Sequence, residues 1–342
     1  MKKEDFIYAS SICCSTWING FKKPQNIHVS RILIVKLDEI GDMVNAIPVF
    51  QALKNTYPSA TQTLWCKPFV KPLMEPMAAI DHIVLSTKEL SGKYDLIIEL
   101  RGTFESILYA LLHPPQYRLD RASVRLKNKL NKGVHPHEVF TNLQIIAPLL
   151  NEIPSEPSIL LSFSPSDIIT AQQYLTGNQL NRFAVFHCGA RKKLRQWKES
   201  NFIQAASYLK NTHSLDIIFA GDDADLAMIS RMQAALDFKS YTVAGHFSLS
   251  AFGALCKQAQ VFLGNESGPL HIAAASDCPV LGLFGPGEPK VFYPWGAKAH
   301  FLHEVLECNP CDQINCKYPN NTCMDRISVA AVQKKLNEII LQ

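Results

Sequence analysis

Short, near-continuous apolar runs recur along the chain, each closed by polar or glycine-containing residues and followed by a segment long enough for a helix. RILIVKL, at 31–37, is the first, and such a run suits a strand buried on both faces. Asp38 to Asp42 then lead into a helical segment that continues to Lys54. TQTLWC at 61–66, HIVLS at 82–86 and YDLIIEL at 94–100 repeat the strand signal at intervals that leave room for helices. No Asn-Gly or Asp-Gly turn separates them, so parallel βα repeats are favoured over hairpins. At 151–166 the sequence changes to NEIPSEPSILLSFSPS, a proline- and serine-rich crossover between two halves. A second series follows: FAVFHCGA (183–190), LDIIFAGDD (215–223), VFLGNESG (261–268) and PVLGLFGP (279–286). These strands run into glycine and polar residues, as the carboxyl edge of a parallel sheet does where its loops hold a ligand. The pattern predicts two Rossmann-like α/β domains, at 31–160 and 161–327. It adds an N-terminal extension (1–30) of unknown role and a final helix, within 328–342, that packs back toward the first domain.

Composition narrows the function classes. The 342 residues carry 34 basic and 30 acidic side chains, for a net charge of +4; 47% are hydrophobic and only 19% charged. That balance suits large buried cores and excludes a disordered chain or a nucleic-acid-binding tail protein, so no nucleic-acid partner is expected. No stretch approaches ~20 consecutive apolar residues, and the N-terminus lacks a signal-peptide core, so a cytoplasmic protein is expected. Of ten cysteines, Cys13, Cys14, Cys66, Cys188, Cys256 and Cys278 are scattered like buried hydrophobes. Cys308, Cys311, Cys316 and Cys323 are clustered. Four thiolates suffice for a structural zinc ion, although only one close pair is present; reduced or redox-variable thiols are the competing reading. The cluster looks remote from the chemistry.

Three segments carry candidate chemistry. In Asn265-Glu-Ser-Gly-Pro-Leu-His-Ile-Ala-Ala-Ala275, Ser267 can cap a helix with Pro269 in its first turn, and Gly268 leaves room for a ligand at the helix start. Such a terminus presents backbone N–H groups and a positive dipole to a diphosphate. Glu266 beside it can bond a sugar hydroxyl, and His271 follows; an ordinary capped helix with a core histidine is the competing reading. Second, His187-Cys-Gly-Ala-Arg191 is followed by Lys192, Lys193, Arg195 and Trp197, cations suited to phosphate neutralisation or to a solvated loop. Asp222, Asp223 and Asp225 can hold a metal, accept from ribose hydroxyls or cap the next helix. Third, Lys36-Leu-Asp-Glu-Ile-Gly-Asp42 sits where the first strand feeds its helix. Gly41 allows a close approach and Asp42 can act as general base, with Asp38 and Glu39 as competitors and a plain N-cap as the alternative. P-loop, nucleophile-elbow and HExxH motifs are absent. Arg118, Arg121, Arg125, Lys127, Lys129 and Lys132 form a basic patch, read as a solvated face or as a contact for an anionic acceptor or membrane.

From about Arg31 onward the ordered blocks ILIVKLDEIGDMVNAIPVFQALK, YDLIIELRG, HCGAR…RQW, IIFAGDD and LGNESGPLHIAAASDCPVLGLFGPGEP resemble glycosyltransferase family 9, the ADP-heptose:lipopolysaccharide heptosyltransferases. The cysteine pattern before Met324 resembles the tail of the heptosyltransferase II branch. The resemblance implies a GT-B fold, with two Rossmann-like domains facing each other across a cleft, the acceptor on the first and the nucleotide sugar on the second. It further implies inverting, metal-independent transfer of heptose from ADP-heptose to a lipid A-linked inner-core acceptor, with no cofactor. The resemblance implies an anionic glycolipid acceptor and a cytoplasmic enzyme open to peripheral contact with the inner face of the inner membrane. The family's base falls on Asp42, and its phosphate-binding lysine on Arg195, with Lys192 or Lys193 as substitutes. The donor loop falls on Glu266, Ser267 and Gly268, with Pro269 and His271 behind it, and the ribose acid on Asp222 or Asp223. Acceptor contacts are assigned to Gly41, Arg118, Arg121 and Arg125. Glutamate where the family has aspartate, and arginine where it has lysine, keep open a GT-B transferase that uses another nucleotide sugar in surface polysaccharide assembly.

Overall fold

A computed structural model describes residues 3–24, 27–130 and 136–341. The chain divides into two compact units, Met1–Ile159 and Leu160–Gln342.

In the first unit five strands, β1 (Arg31–Lys36), β2 (Thr61–Cys66), β3 (His82–Val84), β4 (Leu96–Arg101) and β5 (Tyr117–Asp120), form a parallel sheet in the order β3-β2-β1-β4-β5. Ile32, Leu33, Ile34 and Val35 of β1 are buried, as a run covered on both faces requires. The order reverses direction between β1 and β4, and ligands of such sheets bind at the carboxyl ends beside that point. The N-terminal extension contributes a helix to this unit. The helix Lys3–Asn19 packs on β5 and on the helices Phe104–Leu112 and Arg121–Leu130, and places Cys14 and Ile18 in the core with Val35, Trp65 and Ile107.

The second unit holds β6 (Phe183–His187), β7 (Asp216–Ala220), β8 (Tyr241–Thr242), β9 (Val261–Asn265), β10 (Val280–Phe284) and β11 (Ala299–His303). All are parallel, in the order β11-β10-β9-β6-β7-β8. The switch point falls between β6 and β9, the strands that end in the His187 and Glu266 segments. The closing helix, Val329–Ile340, was expected to return to the first domain. Its apolar face enters the second unit's own core: Val332, Leu336 and Ile339 pack with Phe202, Leu209 and Met324. Spacing of four and three residues puts these three on one stripe, and the partner they match is the helix Glu199–His213.

Candidate active site

The first cluster forms where β1 ends. Its last residue, Lys36, is fully buried, with Nζ 3.4 Å from Asp38 Oδ2. Glu39 occupies the N-cap position of the short helix Ile40–Val44, so Asp42 sits inside the first turn and is no cap. The three carboxylates are distinguished by their surroundings. Glu39 pairs with Lys67 at 3.1 Å, and Asp38 faces Lys36. Burial pushes the Asp42 carboxyl up to about 6; Lys36 and Arg121 oppose the rise, and Asp38 and Glu138 add to it. A carboxylate tuned to that value is ionised at neutral pH yet basic enough to take a proton.

Arg121 therefore belongs to the surroundings of Asp42. Its guanidinium holds Glu138 with two bonds, 2.6 and 2.8 Å, and donates to Asn142 Oδ1 at 3.3 Å. Burial alone would raise the Glu138 carboxyl, but the paired Arg121 keeps it below its ordinary range.

The basic patch does not form as the sequence suggested. Arg118 points inward from β5 and is fully buried, so it is not placed to meet an acceptor. It donates to Glu99 at 2.8 Å, to Ser11 Oγ at 2.9 Å, to the Ser11 carbonyl at 2.8 Å and to Ser15 Oγ at 2.5 Å. Strand alternation is the cause: Arg118 and Asp120 take the inward positions and need buried partners. Arg125 stacks on the Tyr8 ring, 4.8 Å from its centroid, and bonds the Tyr8 hydroxyl. Lys127 and Lys129 are exposed, and Lys132 lies outside the described residues.

The second cluster forms at the switch point of the second sheet. Asn265 ties its two sides together: Nδ2 donates to the Cys188 carbonyl at 2.7 Å, while Oδ1 accepts from Trp197 N at 3.0 Å. Glu266 is buried, with Oε1 3.2 Å from Arg195 NH1 and Oε2 unpartnered among the described residues. Burial raises its carboxyl, and Arg195 and Lys192 oppose the rise. Gly287 leaves room for it: a Cβ there would lie 2.1 Å from Glu266 Oε2 and would push the carboxylate aside.

Ser267 stands at the N-cap of the helix Gly268–Ala275 but does not cap it, contrary to expectation. Its hydroxyl turns instead to His187 Nδ1 at 3.2 Å and to the Asn265 carbonyl at 3.0 Å. The helix start, with Pro269 in its first turn, thus lacks a side-chain cap, which suits an anionic ligand. Burial holds His187 down at about 4, so it is neutral at physiological pH. His271 is buried within the helix. The Asp222 carboxylate caps the following turn through Ala224 N at 2.9 Å, and Asp223 is exposed beside Gly245. Asp225, its carboxyl raised by burial, lies against Gly189 and Gly221.

The cysteine segment is not remote from this cluster. Arg195 Nε donates to Gln313 Oε1 at 2.7 Å, and Lys192 Nζ to the Asp312 carbonyl at 3.3 Å. Cys308, Cys311, Cys316 and Cys323 line one cavity of about 260 Å³. Among the described residues no three His, Cys, Asp or Glu side chains are gathered as a metal-ligand set, so the four thiols are not arranged as the zinc alternative would need. Cys323 is drawn into the core below Gly285, and Cys311 Sγ accepts from Gln313 N at 3.4 Å. Gln313 and Asn265 received no role from the sequence; position at the carboxyl end of a strand was the signal for Asn265.

Comparison with known proteins agrees with this architecture. A glycosyl transferase family 9 protein of Veillonella parvula DSM 2008 superposes with a TM-score of 0.77 at 19% identity, over 91% of this chain and 97% of that one. The E. coli ADP-heptose lps heptosyltransferase II gives 0.73 at 20% identity, over 91% and 99%. Lipooligosaccharide heptosyltransferase 2 of Campylobacter jejuni is 25% identical over 324 residues, which is 88% of this chain and 96% of that protein. The protein is a glycosyltransferase with the GT-B pair of Rossmann-like domains. The model of glycosyltransferase family 9 (heptosyltransferase) matches residues 85–321, more than half of the sequence, and the chain belongs to that family.

Proposed function

We infer that the protein transfers a heptose from ADP-heptose to a lipid A-linked inner-core acceptor of lipopolysaccharide, with inversion and without a metal ion. The observation that carries the reading is Asp42, a carboxyl pushed up to about 6 at the switch point of one sheet. Arg195, Lys192 and the uncapped helix start at Gly268 supply the complementary positive charge at the switch point of the other. Asp42 takes the proton of the acceptor hydroxyl. As the new carbon–oxygen bond forms at the anomeric carbon, the bond to the diphosphate breaks on the opposite face, and ADP leaves with the electron pair. Arg195, Lys192 and the helix N–H groups stabilise the charge that grows on the diphosphate, the work a divalent cation does elsewhere. Glu266 accepts from a sugar hydroxyl, and Asp223 from the ribose. The relatives named lipopolysaccharide or lipooligosaccharide heptosyltransferases support the donor and the pathway.

The test is calorimetric titration with ADP, UDP, GDP and CDP in the presence of EDTA, alongside Arg195→Ala, followed by transfer from ADP-heptose. Selective ADP binding weakened by the substitution, and transfer indifferent to EDTA, are expected. Selective binding of another diphosphate would move the protein to a different sugar, and strict dependence on Mg²⁺ would refute the charge assignment.

A further inference from the structure

Four of the ten cysteines, Cys308, Cys311, Cys316 and Cys323, line one cavity, and the transfer chemistry uses none of them. All four are free thiols. They are not equivalent. Cys323 is buried below Gly285, and burial raises its thiol, so it stays protonated and is a poor nucleophile. Cys308, Cys311 and Cys316 are half-buried, within reach of a small reagent.

Cys311 and Cys316 bracket Asp312-Gln313-Ile314-Asn315, and this short segment reaches both donor-site cations. Gln313 Oε1 accepts from Arg195 Nε at 2.7 Å, and the Asp312 carbonyl from Lys192 Nζ at 3.3 Å. The shape of the segment depends on a thiol. Gln313 has a φ of 62°, a left-handed conformation that a residue with a side chain holds only when its surroundings impose it. Cys311 Sγ supplies part of that support by accepting from Gln313 N at 3.4 Å. Asp312 Oδ1 supplies the rest, accepting from Ile314 N at 2.9 Å and Asn315 N at 3.3 Å. Joining two sulfurs at about 2 Å, with a torsion near 90° about the bond, dictates where both lie. A bond from Cys311 to Cys316 therefore draws Sγ away from Gln313 N and reshapes the four residues between.

We propose that Cys311 and Cys316 are a site of reversible oxidation, at which disulfide formation withdraws Gln313 and Asp312 from Arg195 and Lys192 and weakens binding of the nucleoside diphosphate. The consequence for binding rests on the assignment of Arg195 and Lys192 to the diphosphate made above. Gln313 is a positioning residue in this scheme: it acts on the ligand only through Arg195.

The oxidant is a low-molecular-weight disulfide, of which glutathione disulfide is the example used below. The Cys311 thiolate attacks one sulfur of the oxidant, whose S–S bond breaks; one glutathione leaves as thiolate and takes up the proton that Cys311 lost. The Cys316 thiolate then attacks the Cys311 sulfur of the mixed disulfide and displaces the second glutathione, which takes up the proton of Cys316. Two protein thiols are oxidised and one glutathione disulfide is reduced to two thiols, and an excess of reduced glutathione reverses both steps.

Equilibration of the full chain with glutathione disulfide, followed by alkylation and peptide mapping by mass spectrometry, should find one internal disulfide, between Cys311 and Cys316, that dithiothreitol removes. Calorimetric titration with ADP should give a Kd about tenfold weaker for the oxidised protein than for the reduced one. Gln313→Asn isolates the positioning role, because asparagine accepts the left-handed backbone while its side chain is one methylene shorter. Reduced Gln313→Asn should bind ADP as weakly as oxidised wild type and lose nothing further on oxidation. Cys316→Ala should bind ADP as the reduced wild type does and form no internal disulfide. Melting curves check that each variant folds, and the wild-type comparison of the two redox forms decides the matter if Gln313→Asn does not. Absence of the disulfide between Cys311 and Cys316, or pairing through Cys308 or Cys323 in its place, overturns the proposal, as does undiminished ADP binding by folded Gln313→Asn. A disulfide that leaves the ADP Kd unchanged, while Arg195→Ala weakens it, overturns the switch and leaves the donor site standing. One equivalent of metal in the purified reduced protein, lost on oxidation, would assign the thiols to a metal and overturn the proposal as well. If reduced wild type binds no ADP, the assignment of Arg195 and Lys192 is refuted and the switch falls with it.

Discussion

If Asp42 is the base, its environment should be visible in the pH dependence of transfer. Its carboxyl moves from 3.8 to about 6, mainly by burial. The rate, as kcat/KM, should therefore fall on the acid side with a midpoint near 6, where an unperturbed aspartate would stay active to about 4. Lys36 is the largest opposing influence, and it is fully buried. Lys36→Met keeps the length of the side chain and removes the charge, so the midpoint should rise by about one unit or more. Glu138→Gln removes a negative charge that favours the protonated form, so its midpoint should move down. Asp42→Asn should lower the rate by about 10²–10⁴-fold. The stability consequence has the opposite sign. A folded-state pKa above the unfolded one means that the native state holds the proton more tightly, so stability falls as pH rises from about 4 to 6 and stays reduced above. The shift of about two units corresponds to roughly 3 kcal/mol as an upper bound, so Asp42→Asn should melt higher than wild type at pH 8 and no higher at pH 3.5. Stopped assays between pH 4.5 and 9 with ADP-heptose, and melting curves at the two pH extremes, supply both readings. An acid midpoint near 4, or one that Lys36→Met leaves in place, would refute the assignment.

The remaining expectations concern the buried contacts. Gly287→Ala should displace the Glu266 carboxylate, which a Cβ would approach to 2.1 Å; donor KM should rise about tenfold, with overpacking costing no more than ~1–3 kcal/mol of stability in a denaturant titration. Arg118→Ala strands the Glu99 carboxylate, which it bonds at 2.8 Å; a loss of ~3–5 kcal/mol is expected, with ADP affinity of the folded fraction unchanged by calorimetry. Arg195→Lys should weaken ADP binding more in the wild-type background than in Glu266→Asp, because the two side chains are paired at 3.2 Å; additive losses would show them to be independent.

What the sequence revealed follows from how each element is covered. β1, β4, β6, β9 and β10 are buried along their length and read as unbroken apolar runs, which is why the two α/β series stood out. β5 was invisible because its inward residues are Arg118 and Asp120, a pair that reads as surface until its partners are known. The helix Lys3–Asn19 escaped for a related reason, since Ser11 and Ser15 share its buried face with Cys14 and Ile18 while Phe6 and Trp17 are exposed. β11, a half-exposed strand at the sheet's edge, carries no continuous run. In the site, residues that directly follow a strand were legible because the carboxyl edge of a parallel sheet is where ligands are held. Their supports were not: Gln313 meets Arg195 across 118 positions, and Lys36 reads simply as the last residue of a strand.

Arginine at 195 and glutamate at 266 are two departures from the pattern that the resemblance implies, and in the folded chain these two side chains pair with each other. A lysine is a single point of charge on a flexible stem, whereas a guanidinium offers a planar array of donors to more than one acceptor. Arg195 uses that array: Nε is held by Gln313 while NH1 meets Glu266. The extra methylene of Glu266 extends its carboxylate toward Arg195 and into the space that Gly287 leaves open. The two residues are therefore intelligible as one change made from two sides, which fixes the guanidinium between Glu266 and Gln313. A rigid, doubly held guanidinium suits a group that must be in place before charge develops on a departing diphosphate, since stabilisation in the transition state is greatest when the donors need not reorganise. If Arg195 meets the diphosphate as proposed, arginine would do the work of a lysine by a different route, and the segment that carries the clustered cysteines would share in it because Gln313 completes the hold on Arg195.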